Sequence, residues 1–132
     1  MTGFESGIQG PPPGSQGSQQ PSGGSDVKVY RALLTQSGSG APVATVLENT
    51  LGGTVLWARA STGKYTATLA SAFVANKTFI TGLLLPWIYS GDYANAYAYR
   101  QSASEIEIHV IDTAQFSDDL LFETAIEIRV YP

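Results

Sequence analysis

Residues 105–112 read EIEIHVID. Ile106, Ile108 and Val110 fall on one side of an extended chain, and Glu105, Glu107, His109 and Ile111 on the other. A period of two marks a strand with one buried and one solvated face. The same alternation recurs in both directions. FETAIEIRVY (122–131) sets Ile126, Ile128 and Val130 against Glu127, Arg129 and Tyr131. NAYAYRQS (95–102) sets Tyr97 and Tyr99 against alanines. KYTATLA (64–70) places Tyr65, Ala67 and Leu69 opposite Thr66 and Thr68, and Thr62-Gly63 before it is a hairpin signal to TVLWARAS (54–61). DVKVYRALLTQS (26–37) begins by alternating Val27, Val29 and Arg31 with Lys28, Tyr30 and Ala32. VATVLEN (43–49) is short and β-branched, and KTFITGLLLPWIYS (77–90) is a strand candidate broken by Gly82 and Pro86.

Helical patterning is weak. LASAFVANK (69–77) predicts a short helix, and TAQFSDDLLFE (113–123) a single turn around Asp118. Neither is long enough to cross between parallel strands. Seven or eight short strands with Gly- and Ser-rich turns predict an all-β fold, an antiparallel β-sandwich or a jelly-roll-like barrel, with the sandwich preferred.

The 132 residues suit one domain, yet composition shifts sharply near Asp26. Residues 1–25 are mostly Gly, Pro, Ser and Gln, and after Met1 their only large apolar side chains are Phe4 and Ile8. No packed core can be built from them, so the expected division is an extended segment, 1–25, and a head, 26–132. In triplets the segment reads Gly7-Ile8-Gln9 and Gly10-Pro11-Pro12, then Pro13, then Gly14-Ser15-Gln16 and Gly17-Ser18-Gln19. Glycine at every third place is what a collagen triple helix requires, because only glycine fits at its axis. So few triplets are not stable alone. The segment is therefore either a flexible linker or a collagen-like tether held together by a trimeric head.

Charge narrows the partners. The net charge is −4 and 14% of residues are charged, too acidic a balance for a phosphate-neutralising surface. Nucleic acid and anionic membrane are therefore poor partners. The N-terminus has neither the basic region nor the apolar run of a secretory signal. The longest apolar candidate, FITGLLLPWIY, falls short of the ~20 residues that cross a bilayer. Absence of cysteine excludes disulfides, thiolate metal sites and thiol nucleophiles.

Catalytic patterns are missing too. The single histidine, His109, reads as a solvated or cross-strand-paired member of a polar strand face, dispensable for stability, rather than a general base. Glu105 and Glu107 share that face, but such pairs also serve as solubilising edge charges. Asp112, Ser117, Asp118 and Asp119 superficially suggest a calcium loop without EF-hand spacing or its central glycine. The chain is expected to be no enzyme and to need no metal or cofactor. Trp87, Tyr89, Tyr93, Tyr97 and Tyr99 are the remaining candidates, for ordinary packing, a subunit interface or contact with a glycan.

GIQGPPPG leading into a small all-β head resembles the stalk-and-head layout of bacteriophage fibre proteins. The block from Val29 to Leu69, which contains RALLTQSGSGAPVATVLENTLGGT, is similar to one found in small phage virion proteins and at the ends of phage fibres. The resemblance implies a homotrimeric structural protein on the virion surface: a head fibre, a capsid decoration protein or a tail-fibre tip. It implies attachment to other virion proteins through residues 1–25. Within them Phe4 and Ile8 are the expected anchor and Pro11, Pro12 and Pro13 a stiff spacer, with a host-surface glycan as a further partner. The competing expectation is a carbohydrate-binding or adhesin module behind a flexible linker.

Overall fold

The computed structural model describes residues 26–85 and 94–132. The segment 1–25, with Phe4, Ile8 and Pro11 to Pro13, and the aromatics Trp87, Tyr89 and Tyr93 lie outside the described residues.

The described chain is all-β. Its strands are β1 (Lys28–Thr35), β2 (Val43–Asn49), β3 (Leu56–Ser61), β4 (Lys64–Thr68), β5 (Thr78–Gly82), β6 (Ala94–Ser102), β7 (Glu105–Asp112), β8 (Gln115–Phe116) and β9 (Thr124–Val130). They form two antiparallel sheets. The first runs β2-β1-β9-β5; the second runs β3-β4-β7-β6, with β8 also paired to β7. No helix among the described residues is long and apolar enough to cross a membrane.

The alternating strands behave as their pattern requires. Ile106, Ile108 and Val110 of β7 are buried, as are Tyr65 and Ala67 of β4 and Ile126, Ile128 and Val130 of β9. On β1 the buried side is Tyr30, Ala32 and Leu34. The inner faces of both sheets meet in one apolar cluster. Fully burying a side chain of this size contributes about 1.5–3 kcal/mol, so this cluster dominates the stability of the fold. A polar contact also crosses it, since Trp57 Nε1 donates to Tyr30 Oη at 3.1 Å.

Two expected helical stretches are not helical. Residues 70–77 form turns, with Ser71 and Asn76 at φ of 56° and 63°. Phe73 accounts for this. Its side chain is fully buried, its N–H donates to Ala103 O at 2.8 Å, and its carbonyl accepts Arg100 Nε at 2.6 Å. Pinned to the β6–β7 hairpin at both backbone atoms, it cannot also serve a helical ladder. Around Asp118 there is no helical turn either: β8 ends at Phe116, paired with Ile111, and Asp118 and Asp119 follow as a bend, with Asp119 at φ of 68°. Of the strand expected over 77–90, residues 86–90 lie outside the described residues, and within 77–85 the strand is Thr78–Gly82. Gly82 has φ of 112°, and a Cβ there would lie 2.4 Å from Ala125 O, so glycine alone allows β5 to end this close to β9.

Candidate binding surface

Two polar constellations stand out. One is buried at an end of the sheets. Gln36, just past β1, Arg59 of β3, Tyr65 of β4 and Asp118 after β8 converge there. Asp118 accepts from Arg59 Nη2 at 2.7 Å, from Gly63 N at 3.0 Å and from Tyr65 Oη at 2.7 Å. Those donors hold its carboxyl down at about 2, the Arg59 guanidinium first among them. Burial, first of all, and the adjoining Asp118 carboxylate raise the Tyr65 phenol far above its ordinary value. Gln36 accepts from Tyr65 and Asp119 N, and its amide donates to Gly38 O and Gly40 O at 2.9 Å each. Asp119 Oδ1 is occupied by Gly38 N. These carboxylates are thus bound to protein donors, and no group of three potential metal-ligating side chains occurs among the described residues. The constellation joins the two sheets rather than opening to a ligand.

The other constellation covers the outer face of the second sheet. Strand register builds it row by row. Lys64, His109 and Tyr97 are aligned across β4, β7 and β6, and the next row is Thr66, Glu107 and Tyr99. β8 then delivers Phe116 beside them. The His109 ring contacts Tyr97, Tyr99 and Phe116 edge-on, with centroids 5.1, 5.4 and 5.4 Å away. Its Nδ1 is hydrogen-bonded to Tyr97 Oη at 2.8 Å. Nε2 lies 3.4 Å from Glu107 Oε2 and has no hydrogen-bond partner among the described residues. Tyr99 Oη donates to Glu107 Oε1 at 2.5 Å. That bond, above all, lowers the Glu107 pKa and raises Tyr99 to about 12. Lys64 Nζ sits 4.5 Å above the Phe116 ring.

His109 is therefore cross-strand-paired, as its position implies, but it is not solvated. Its side chain is only 13% exposed. The three rings around it stay partly open, with Tyr97 45%, Phe116 40% and Tyr99 37% exposed. The surface offers apolar ring area interleaved with hydroxyls and a carboxylate, which suits stacking and hydrogen bonding. It is poorly set for general acid catalysis, because Glu107 is shifted down and an acid at neutral pH must be shifted up.

Of the residues singled out by sequence, Tyr97 and Tyr99 come together here, joined by Glu107 and His109. Glu105 is aligned with Thr68 and Ser102, one row farther along. Phe116 and Lys64 were missed. The only signal for Lys64 was its place at the start of an alternating strand, and Phe116 carried none. No family model matches the chain, and no curated protein or solved structure matches it either.

Proposed function

We propose that the chain is a bacteriophage structural protein: a homotrimeric head fibre or capsid decoration protein on the virion surface, with a tail-fibre tip as the other location. In this reading the two sheets are the layers of a β-sandwich head, and residues 1–25 are a collagen-like tether that grips neighbouring virion proteins. The chain acts by assembly, without catalysis, metal or cofactor.

The observation that supports assembly is strand β2. It is an edge strand of seven residues, and Val43, Val46 and Leu47 are 70, 50 and 62% exposed. Val46 is paired with Ala32, whose side chain is buried, so the apolar layer lies open along this edge. Glu48, its one charged residue, is committed to Arg31. An uncovered apolar edge invites a further chain, and sister copies of the head would cover it. The full chain should sediment as a trimer, and Val43→Lys with Leu47→Lys should give a folded monomer. A monomeric wild type would overturn the reading. Attachment is read separately: Phe4→Ser with Ile8→Ser should leave the trimer intact but absent from purified particles.

A second reading, a carbohydrate-binding or adhesin module, is favoured by the Tyr97, Tyr99 and Phe116 rings. A glycan array gives its test, with binding expected to vanish in Tyr97→Ala and Tyr99→Ala.

A further inference from the structure

At the end of the sheets where β1 begins there is a groove of about 640 Å³. Leu51, Leu69, Ala72 and Val74 line it together with Lys28 and Lys77. Neither lysine belongs to an ion pair among the described residues. Asp26 also lines the groove, so residues 1–25 enter the head at this point.

We infer that this groove is the resting place of the chain's own residues Phe4–Ile8 before attachment. The inference rests on the reading of Phe4 and Ile8 as the anchor, and adds how that anchor is kept until it is used. Three observations point to this occupant. The stretch FESGI carries two large apolar side chains around Glu5, the only acidic residue in 1–25. The groove offers the complement, apolar side chains for Phe4 and Ile8 and the amines of Lys28 and Lys77 for Glu5, beside Asp26 and Pro132. Reach is sufficient as well. Residues 9–25 separate the stretch from the head, and a chain of that length, not yet paired with its sisters as the collagen-like tether, would span roughly 20–25 Å. Such tethering gives an effective concentration of about millimolar, so weak intrinsic affinity fills the site. A shell protein that binds Phe4 and Ile8 more tightly then draws the stretch out.

The absence of cysteine makes the test clean. A nitroxide placed on Gly10→Cys in the full chain should broaden the amide signals of Ala72, Val74 and Lys77 to less than half their diamagnetic intensity. Signals of Gly38 and Gly40, beyond the other end of β1, should be unaffected. Phe4→Ser with Ile8→Ser, and separately Lys28→Glu with Lys77→Glu, should restore the groove signals. Unchanged groove signals in the labelled wild type would overturn the inference. So would broadening that appears only when the nitroxide is on a different chain from the ¹⁵N label, since the occupant would then be a second copy. Particle occupancy of Phe4→Ser with Ile8→Ser judges the anchor itself. Loss from particles without groove broadening leaves attachment standing and this inference refuted. Groove broadening with normal occupancy does the reverse.

Discussion

Tyr65 and Asp118 hold each other across 2.7 Å, and the same phenolic oxygen lies 2.8 Å from Gln36 Oε1. One hydroxyl thus links β4 of the second sheet, the segment after β8 and the end of β1 in the first sheet. Its single proton is shared between two acceptors. Each acceptor keeps another donor, Asp119 N for Gln36 and Arg59 with Gly63 N for Asp118. Tyr65→Phe therefore leaves no acceptor bare and should cost only about 1 kcal/mol. Asp118→Ala strips Gly63 N and the Arg59 guanidinium at once and should cost about 3 kcal/mol. Urea unfolding of both variants checks the order. Equal costs would show that the carboxylate contributes nothing beyond the Tyr65 bond.

The same carboxylate makes stability depend on acid. Asp118 titrates at about 2 in the folded chain, against an ordinary value of 3.8. A lowered folded pKa contributes stability above the ordinary value. The contribution fades as pH falls from about 4 and is gone below about 2. Its full size is about 2 kcal/mol. Glu107 and Glu127 are lowered as well and act in the same direction. Asp118→Asn should therefore lose about 2 kcal/mol less than the wild type between pH 5 and pH 2. Parallel acid limbs in chemical unfolding would contradict this assignment.

His109 carries a prediction opposite to the one its sequence position invites. Three ring contacts and the Tyr97 bond surround a side chain that alternation alone places on a wet face. His109→Gln forfeits the edge-on contacts, and its amide cannot reproduce the ring geometry. A loss of about 1–2 kcal/mol is expected, whereas exposed sites change by about 0.5 kcal/mol or less. Tyr97→Phe, which removes only the hydroxyl, should cost about half as much. A change within 0.5 kcal/mol for His109→Gln would mean that the rings simply close over the space.

What the sequence made legible was whatever depends on neighbours along the chain. EIEIHVID and TAIEIRV bury the apolar sides of their alternation, and Thr62-Gly63 is the hairpin loop between β3 and β4. β1 was harder, because Val27 and Val29 compete with Tyr30 and Ala32 for the inner face. Leu34, which shares the parity of Tyr30, shows which side wins. Tertiary demands were invisible. Gln36, the hairpin pair Arg59 and Tyr65, and Asp118 lie far apart in sequence and meet only after both sheets form. Phe73 overrides a helical pattern because the core and two hydrogen bonds claim it. The ring cluster needed β8, a two-residue strand too short to carry any periodicity.

The turn that delivers β8 is built from unfavourable residues. Thr113 and Ala114 have φ of 48° and 65°, between the paired Asp112 and Gln115. Two consecutive left-handed residues in a two-residue hairpin loop match a type I′ turn, whose twist suits the flanking strands. Thr113 is the worse of the two, because a β-branched side chain at positive φ crowds its own backbone. Its hydroxyl recovers little through the exposed 3.1 Å bond to Asp112. Asn and Gly adopt this conformation at lower cost. Thr113→Asn with Ala114→Gly should relieve about 1–2 kcal/mol of backbone strain. Part is offset because glycine also frees the unfolded chain. The net expectation is a gain of about 1 kcal/mol in urea unfolding, with the His109 ring contacts unchanged. Asparagine alone should capture roughly half. If the double variant were less stable than the wild type, Thr113 and Ala114 would not occupy left-handed positions in solution, and β8 would be held in place by Phe116 rather than by its turn.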